Sequence, residues 1–377
     1  MDKLKVLTVF GTRPEGIKMA PIVKVLNEDN RFLQRVCVTA QHRDMLDQVL
    51  KIFDITPDYD LDIFQHGQTL TQITTRAMEG LERIVKEFRP DVLLVQGDTT
   101  TVFAGALVGF YHQVKIGHVE AGLRSGNLYS PYPEEANRKM TGVLTHYHFA
   151  PTKEAAGNLL MENYPPEKIF VTGNTVIDSL VQVIDDSYIF EDDFLNSLDY
   201  KNKKIILLTA HRRENIGEPM VNIFQAIKRI VEDNKDIEVV YPIHLNPNVR
   251  SISDEVFGDI DRIHIIEPLD YLPFANLINM CYLVITDSGG IQEEAPTLGK
   301  PVLVVRKETE RPEGIEAGTA KLAGIFEDDI YRMISELIHD SKLYDEMANA
   351  VNPYGDGRAS EKIRDILIND HFNNNPF

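Results

Sequence analysis

The segment Gly11–Met19 (GTRPEGIKM) directly follows the apolar run Leu4–Phe10 (LKVLTVF), and this junction decides the fold class. An unbroken apolar run is typical of a parallel strand buried on both faces, and the glycine and proline after it predict a turn into a helix. In open α/β sheets such turns lie at the carboxyl edge, where phosphate groups bind. Arg13 and Lys18 are therefore candidate phosphate-binding residues, although a surface turn with two solvated cations has the same pattern.

The turn lacks the signatures of the common cofactor-binding families. Neither the P-loop pattern GxxxxGK[ST] nor the dinucleotide pattern GxGxxG occurs in it, so ATPase and NAD-dependent functions lose their main support. The chain has no CxxC or HExxH motif, and His146 and His148 form an isolated HxH pair. A GxSxG nucleophile elbow is also absent. We expect neither a cofactor nor a catalytic metal.

Short apolar runs alternate with longer helical patterns along the chain and fall into two similar sets. This alternation predicts an α/β protein of two doubly wound parallel-sheet, Rossmann-like domains that face a central cleft. The N-terminal domain is predicted at residues 1–172 and the C-terminal domain at 173–356, with a helix of about residues 357–377 packing back on the first. The predicted strands are Leu4–Phe10, Val36–Ala40, Asp91–Gln96, Lys115–Val119, His148–Ala150 and Ile169–Val171, then Lys204–Thr209, Ile237–Ile243, Ile263–Ile266, Tyr282–Thr286, Pro301–Val305 and Lys321–Ile325.

Composition and charge exclude several classes of protein. The 377 residues are 43% hydrophobic and 26% charged, which is ordinary for a globular protein of two domains. The net charge of −19 argues against an extended nucleic-acid interface, and an anionic ligand needs a local cluster of cations. The chain enters its first strand at once, and no apolar run approaches the length of a membrane span. We expect a cytoplasmic protein without nucleic-acid or membrane partners.

Carboxylates follow two neighbouring strands of the predicted first sheet. Asp98 comes directly after one apolar run and Glu120 after the next, so the two side chains should converge at the carboxyl edge. Glu134 falls in the first turn of a helix that begins after Pro133. Each acid alone also fits a structural role, as a helix cap or as a partner of the helix dipole.

The predicted second domain supplies complementary groups. His211 and two arginines follow its first strand, and Asp287-Ser288-Gly289-Gly290 follows its fourth. A Ser-Gly-Gly turn before a helix exposes backbone N–H groups to an anion, and Glu294, one turn on, can reach ribose hydroxyls. Arg311 brings another cation to the same edge.

Seven segments, in this order, resemble the signature of the non-hydrolysing UDP-N-acetylglucosamine 2-epimerase family of bacterial type. The resemblance covers essentially the whole chain. The segments are GTRPEGIK (residues 11–18), GDTTT (97–101), VEAGLR (119–124), PEEANR (133–138), HRREN (211–215), DSGG (287–290) and ERPEG (310–314).

The resemblance implies a glycosyltransferase-B-like fold and an isomerase that interconverts UDP-GlcNAc and UDP-ManNAc for cell-surface polysaccharide, as a homodimer. The implied reaction eliminates UDP to give 2-acetamidoglucal and then adds UDP back. A hydrolysing epimerase, a sugar-nucleotide glycosyltransferase and a UDP-sugar sensor are the alternatives. The family's acid/base and sugar-site positions fall on Asp98, Glu120, Glu134 and His211, and its UDP contacts fall on Arg13, Lys18, Phe274, Ser288, Gly289, Gly290, Glu294 and Arg311.

The chain departs from the family pattern at two places. Leu269 stands where members often have a glutamine near the uracil, and a leucine side chain cannot hydrogen-bond. Some members also bind a second UDP-GlcNAc as an activator. Of the positions that align with that site, Gln41, Glu134, Arg212 and His244 keep the residue type, whereas Asp44 replaces a glutamine and Gly67 an arginine. We therefore expect weak activation by substrate.

Overall fold

The computed structural model describes residues 2–40 and 43–373, apart from the side chains of Asp44 and Asn373. The chain divides into two compact units, residues 1–182 with 354–377 and residues 183–353. The first unit thus runs past residue 172, the predicted end of the N-terminal domain. A helix at Thr175–Val183 carries the chain onward, and its Ser179 hydroxyl donates to the Ile17 carbonyl in the first unit.

The first unit is built on a seven-stranded parallel sheet in the order β3-β2-β1-β4-β5-β6-β7. The direction of winding reverses between β1 and β4, so the carboxyl ends of these strands form the switch point at which such sheets bind ligands. The two-residue strand β3 is absent from the sequence prediction. The strands are β1 (Leu4–Phe10), β2 (Phe32–Val38), β3 (Tyr59–Asp60), β4 (Val92–Gln96), β5 (Lys115–Val119), β6 (Tyr147–Ala150) and β7 (Ile169–Val171).

Helices cover this sheet and include the last helix of the chain. Ile363 and Leu367 of that helix are fully buried in the core that also holds Leu4 and Val6. The first residues of the last helix donate hydrogen bonds to the Asp178 carboxylate, and the Ser360 N–H is the nearest backbone donor, at 2.7 Å. The helices are α1 (Arg13–Glu28), α2 (Arg43–Ile52), α3 (Leu70–Phe88), α4 (Thr100–Tyr111), α5 (Glu134–Leu144), α6 (Lys153–Met161), α7 (Thr175–Val183) and, at the carboxyl terminus, α16 (Ala359–Asn373).

The second unit repeats the plan with a six-stranded parallel sheet in the order β10-β9-β8-β11-β12-β13, which reverses between β8 and β11. Its strands are β8 (Lys204–Thr209), β9 (Ile237–Pro242), β10 (Ile263–Ile266), β11 (Leu283–Thr286), β12 (Val302–Val304) and β13 (Ala320–Leu322). Its helices are α8 (Asp193–Ser197), α9 (Glu218–Asp233), α10 (Pro247–Phe257), α11 (Tyr271–Met280), α12 (Gly289–Glu294), α13 (Pro312–Glu316), α14 (Glu327–His339) and α15 (Ser341–Ala348).

The predicted fold class of two doubly wound parallel sheets is confirmed. Near-continuous apolar strands such as Ile205–Leu208 are fully buried because helices pack on both faces of each sheet. The described part of the chain contains no helix that is both long and apolar enough to cross a membrane.

Candidate active site

The turn after β1 is fixed by close packing and by a buried acid. A side chain at Gly11 would place its Cβ 2.0 Å from the Thr39 hydroxyl oxygen, so only glycine fits there. The Glu15 carboxylate accepts hydrogen bonds from the Gly11 N–H (3.0 Å) and the Thr12 N–H (2.7 Å). Its second oxygen accepts from the Thr99 hydroxyl (2.6 Å), and burial raises its pKa. Glu15 therefore ties the turn after β1 to the turn after β4.

The two predicted phosphate-binding cations of this turn have different surroundings. Arg13 is half-buried, and its side chain makes no hydrogen bond or ion pair with residues 2–40 or 43–373. Lys18 lies with Nζ 2.5 Å from Glu120 Oε1. The structure thus brings Lys18 together with one of the predicted catalytic acids.

Glu120 occupies a constrained position at the end of β5. Its backbone is left-handed, with φ of 63°, which is uncommon for a residue with a side chain and is often found at functional sites. The Asn174 side-chain amide donates to Glu120 Oε1 at 3.0 Å, and the Gln96 amide donates to Oε2. Together with Lys18, these donors hold the buried carboxylate in one orientation.

Asp98 lies in the turn after β4 and is held by α5. Arg138 Nε donates to Asp98 Oδ2 at 2.9 Å, and the Asn137 amide donates to the Asp98 carbonyl at 3.0 Å. Burial raises the pKa of Asp98; the charge of Arg138 opposes this effect, and the neighbouring charge of Glu120 adds to it. A carboxyl group with a raised pKa is suited to proton transfer near neutral pH.

Glu134 is the first residue of α5 and also faces Asp98. Its charge contributes to the raised pKa of Asp98. Glu134 Oε2 is buried and has no hydrogen-bond partner within the part of the chain that the structure describes. An unpartnered carboxylate oxygen is costly unless a ligand or water satisfies it. The first unit therefore gathers the three acids predicted from its sequence at one edge of the sheet.

His211 follows β8 in the second unit and is oriented by Asp287, which follows β11. The fully buried Asp287 accepts on Oδ2 from the His211 N–H (2.9 Å), the Arg212 N–H (2.8 Å) and the Asn215 amide (3.1 Å). Its Oδ1 lies 3.7 Å from His211 Nδ1. Burial lowers the pKa of His211; Asp287 opposes the shift, and His244, stacked on the ring at 5.1 Å, adds to it.

The predicted nucleotide-binding residues of the second unit follow its strands β10, β11 and β12. Ser288 is the cap residue of α12, and Gly289 and Gly290 form its first turn. A Cβ at Gly290 would lie 3.5 Å from Glu294 Oε1, so Glu294 faces the first turn of its own helix. Phe274 is on α11 and, like Leu269, packs against the core of the second unit. Leu269 thus has a packing role in this unit.

Several arginines and glutamates of the second unit form ion pairs with one another. Arg311 pairs with the buried Glu293. Arg306, which lies outside the set predicted from sequence, is buried after β12 and donates to Glu214 at 2.8 Å. Both Arg306 and Arg212 donate to Glu310, Arg212 at 3.0 Å. An anionic ligand here would compete with these glutamates for the guanidinium groups.

The predicted activator positions are only partly described. Gln41 lies outside the described residues, and so does the side chain of Asp44. Arg212 pairs with Glu310, and His244 stacks on His211. Gly67 has φ of 73°, and a Cβ added there would meet no described atom within 4 Å, so this position supplies no cation.

Sequence reasoning missed several residues that hold the predicted ones in place. Some of them contact a predicted residue that is distant in sequence, as Arg138 contacts Asp98. Others belong to a motif that the sequence analysis interpreted in another role. The PEEANR motif did contain a signal, because residues three or four apart share a helix face. The missed residues are Glu15, Gln96, Glu135, Asn137, Arg138, Asn174 and Arg306, together with the orienting role of Asp287.

The chain is similar to known proteins over nearly its whole length. The family model for UDP-N-acetylglucosamine 2-epimerase matches residues 24–368. A Bacillus subtilis UDP-N-acetylglucosamine 2-epimerase is 56% identical over 368 residues, which span 98% of this chain and 96% of that protein. The corresponding Escherichia coli K12 enzyme is 53% identical over 373 residues, 97% of this chain and 99% of that protein.

A solved structure extends the comparison to three dimensions. The crystal structure of UDP-GlcNAc 2-epimerase from Neisseria meningitidis, bound to UDP-GlcNAc, matches with a TM-score of 0.84 and 49% identity, over 97% of this chain and 100% of that chain. The glycosyltransferase-B-like fold expected from the sequence is confirmed. The chain therefore belongs to the UDP-N-acetylglucosamine 2-epimerase family, a family of enzymes of the isomerase class.

Proposed function

We propose that this enzyme interconverts UDP-GlcNAc and UDP-ManNAc without hydrolysis, by elimination of UDP and its re-addition. The observation that carries the proposal is the convergence of Asp98, Glu120 and Glu134 at the carboxyl edge of the first sheet, where the charges of both glutamates act on Asp98. By the family resemblance, the product would supply ManNAc units for cell-surface polysaccharide.

The substrate's bonds explain why several acids are needed. Carbon 2 of the sugar carries an N-acetyl group and has no adjacent carbonyl, so its proton cannot be removed through a simple enolate. In the proposed route, a base takes the carbon-2 proton while the bond from carbon 1 to the UDP oxygen breaks, which gives 2-acetamidoglucal and UDP. A proton then returns to the opposite face of carbon 2 and UDP adds to carbon 1. Two proton-transfer groups on opposite faces are required.

We assign these proton transfers, and the holding of the sugar, to Asp98, Glu120 and Glu134. Asp98 is suited to exchange a proton because burial raises its pKa. Glu120 is oriented by its hydrogen bond from Asn174 and its ion pair with Lys18. Glu134 has a buried oxygen without a partner in the described chain, which a sugar hydroxyl or water would satisfy.

We assign the leaving diphosphate to cations and backbone donors. Arg13 and Lys18 follow β1, and the turn Ser288–Gly290 follows β11, each at the switch point of its own sheet. Negative charge develops on the diphosphate as the bond at carbon 1 breaks, and preorganised donors stabilise it. His211, oriented by Asp287, is a further donor to the diphosphate oxygen that leaves carbon 1. Glu294 and Arg311 are proposed contacts of the nucleoside part.

Product analysis tests the proposal and separates it from hydrolysis. The protein is incubated with UDP-GlcNAc in EDTA and without NAD, and the products are resolved by chromatography and NMR. We expect an equilibrium mixture of intact UDP-GlcNAc and UDP-ManNAc, and its loss in Asp98→Asn. Release of free ManNAc with stoichiometric UDP would show a hydrolysing enzyme instead. Transfer of the sugar to an added acceptor, without epimerisation, would show a glycosyltransferase.

A further inference from the structure

One cation is shared between Asp98 and a second carboxylate that the proposed mechanism does not use. Arg138 Nε donates to Asp98 Oδ2 at 2.9 Å, and Arg138 Nη1 donates to Glu135 Oε2 at 3.1 Å. Arg138 and Glu135 are both buried, Glu135 completely. The guanidinium thus lies between two carboxylates, and with both acids ionised the three groups carry one net negative charge.

Glu135 lowers the stability of the fold at this position. Its Oε2 also accepts the Ser125 N–H at 3.1 Å, but its Oε1 is buried with no hydrogen-bond partner among residues 2–40 and 43–373. An acid in the first turn of a helix stabilises the helix equally well from an exposed position. Complete burial of an incompletely bonded carboxylate costs stability. Stabilisation of the helix therefore does not explain why a charged residue is buried here.

The other charges around Asp98 show what Glu135 adds. Asp98 is faced by Arg138 and Glu134 from α5, by Glu120 from the end of β5 and by Lys18 from α1. The formal charges of these four neighbours, two cations and two anions, sum to zero. Glu135 makes the surroundings of Asp98 more negative, because it binds Arg138, the cation that donates to Asp98.

We propose that Glu135 is a positioning residue that acts through Arg138: by competing with Asp98 for the guanidinium, it keeps Asp98 able to take up and release a proton near neutral pH. The inference rests on the proposed function, since it concerns the proton transfer assigned to Asp98. Without Glu135, the full charge of Arg138 would stabilise the ionised form of Asp98. Burial raises the pKa of Asp98, and the charge of Arg138 opposes that rise.

Direct titration of Asp98 tests the proposal in the full-length protein. The carboxyl carbon of Asp98 is observed by NMR in protein labelled with ¹³C-aspartate, and its signal is assigned by its absence in Asp98→Asn. Glu135→Gln keeps the shape and a hydrogen-bond acceptor but removes the charge. We expect the pKa of Asp98 to fall by about one unit or more, as for a unit charge acting over several ångströms inside a protein.

A control variant removes the charge of an exposed acid on the same unit. Glu162 pairs with Arg124 at 2.7 Å rather than with Arg138, so Glu162→Gln should leave the titration of Asp98 unchanged. Arg138→Gln removes the shared cation, and we expect it to move the pKa of Asp98 upwards, opposite to Glu135→Gln. If Glu135→Gln does not fold, the double variant Glu135→Gln with Arg138→Gln is compared with Arg138→Gln alone. Asp98 should titrate alike in these two proteins, because neither has the guanidinium through which Glu135 acts, and a difference between them overturns the inference.

The pH profile of kcat/KM supplies the functional readout, which a merely structural role would not shift. In Glu135→Gln the limb that reports Asp98 should move to lower pH by the same amount as the NMR titration. An Asp98 titration that does not move in Glu135→Gln, or that moves upwards, overturns the inference even if the wild-type protein epimerises UDP-GlcNAc. Failure of the wild type to epimerise overturns the proposed function instead.

Discussion

Lys18 Nζ lies 2.5 Å from Glu120 Oε1, so a cation predicted to bind phosphate is paired with an acid predicted to move protons. The pair joins α1, which begins after β1, to the end of β5 across 102 residues of sequence. Since an ammonium group bound to a carboxylate is less available to a diphosphate, we expect substrate binding and proton transfer to be coupled through this contact.

Removal of the Glu120 charge should therefore separate catalysis from nucleotide binding. We expect Glu120→Gln to lower kcat by roughly 10²–10⁴-fold, the usual effect of removing a positioned acid or base. The same change should leave the affinity for UDP unchanged or tighter, because Lys18 is released from its partner. Steady-state kinetics and calorimetric titration with UDP measure the two effects.

Two companion variants show whether this coupling is real. Lys18→Ala should weaken UDP binding, opposite to Glu120→Gln, and Glu162→Gln, which alters an acid paired with Arg124, should change neither quantity. If Glu120→Gln weakens UDP binding as much as Lys18→Ala does, the ion pair does not restrain Lys18.

Asp287 should matter for both stability and turnover, although the sequence shows it only as the start of a Ser-Gly-Gly turn. Asp287→Ala leaves the His211 N–H, the Arg212 N–H and the Asn215 amide without their buried acceptor. We expect a loss of at least about 2 kcal/mol in the free energy of unfolding. Asp287→Asn restores an acceptor and should recover most of that stability while kcat stays low, because His211 loses its charged partner. Denaturant unfolding measures the stability of the two variants, and steady-state kinetics measures their kcat. Wild-type turnover in both variants would contradict the prediction.

The buried His148 should make the protein less stable in acid. Its two ring nitrogens have no hydrogen-bond partner in the described part of the chain, and burial lowers its pKa to about 3. The unfolded chain takes up a proton on His148 as pH falls below about 6.5, whereas the native protein does not, so stability falls with pH. Between pH 8 and pH 5 this one residue accounts for at most about 2 kcal/mol.

Replacement of His148 by leucine should remove that part of the pH dependence. We expect the difference in unfolding free energy between pH 8 and pH 5 to shrink in His148→Leu, whatever the variant costs at pH 8. The exposed His339, changed to Gln, is the control and should leave the difference unchanged. An undiminished pH dependence in His148→Leu would show that His148 is not buried in its neutral form.

Activation by substrate should be weak, because Gly67 stands where some family members have an arginine in an activator site. Gly67 lies in open space with φ of 73°, and the loss of one charge-assisted hydrogen bond of about 1.5–3 kcal/mol reduces affinity about tenfold or more. We expect UDP-ManNAc to be converted without a lag, and trace UDP-GlcNAc to have little effect on the initial rate. A strict requirement for UDP-GlcNAc, with a sigmoidal forward curve, would mean that another cation replaces the missing arginine.

The parts of the fold that could be predicted from sequence are those set by local pattern. LKVLTVF is apolar on both faces because helices cover both sides of β1, and the turn after it needs glycine because Thr39 packs against it. The two-residue strand β3 is too short to leave such a pattern. Its pairing depends on the neighbouring strand β2 rather than on its own residues.

The supporting contacts of the site could not be predicted, since they depend on how distant elements are brought together. Arg138 reaches Asp98 across 40 residues, and Asn174 reaches Glu120 across 54. Glu135 stands beside the predicted Glu134 on α5 and differs from it only in facing the interior. Helical spacing within PEEANR pairs Glu135 with Arg138, but it does not show that Arg138 also binds Asp98.

Solvent exchange at carbon 2 of the sugar tests the central claim most directly. UDP-GlcNAc is incubated with the protein in D2O and followed by ¹H NMR, with Asp98→Asn as the inactive control. If the acids of the first unit remove and return the carbon-2 proton, deuterium accumulates at carbon 2 in an intact pool of UDP-GlcNAc and UDP-ManNAc. An intact pool in which carbon 2 keeps its proton, or release of the free sugar without return to the nucleotide form, would contradict this mechanism.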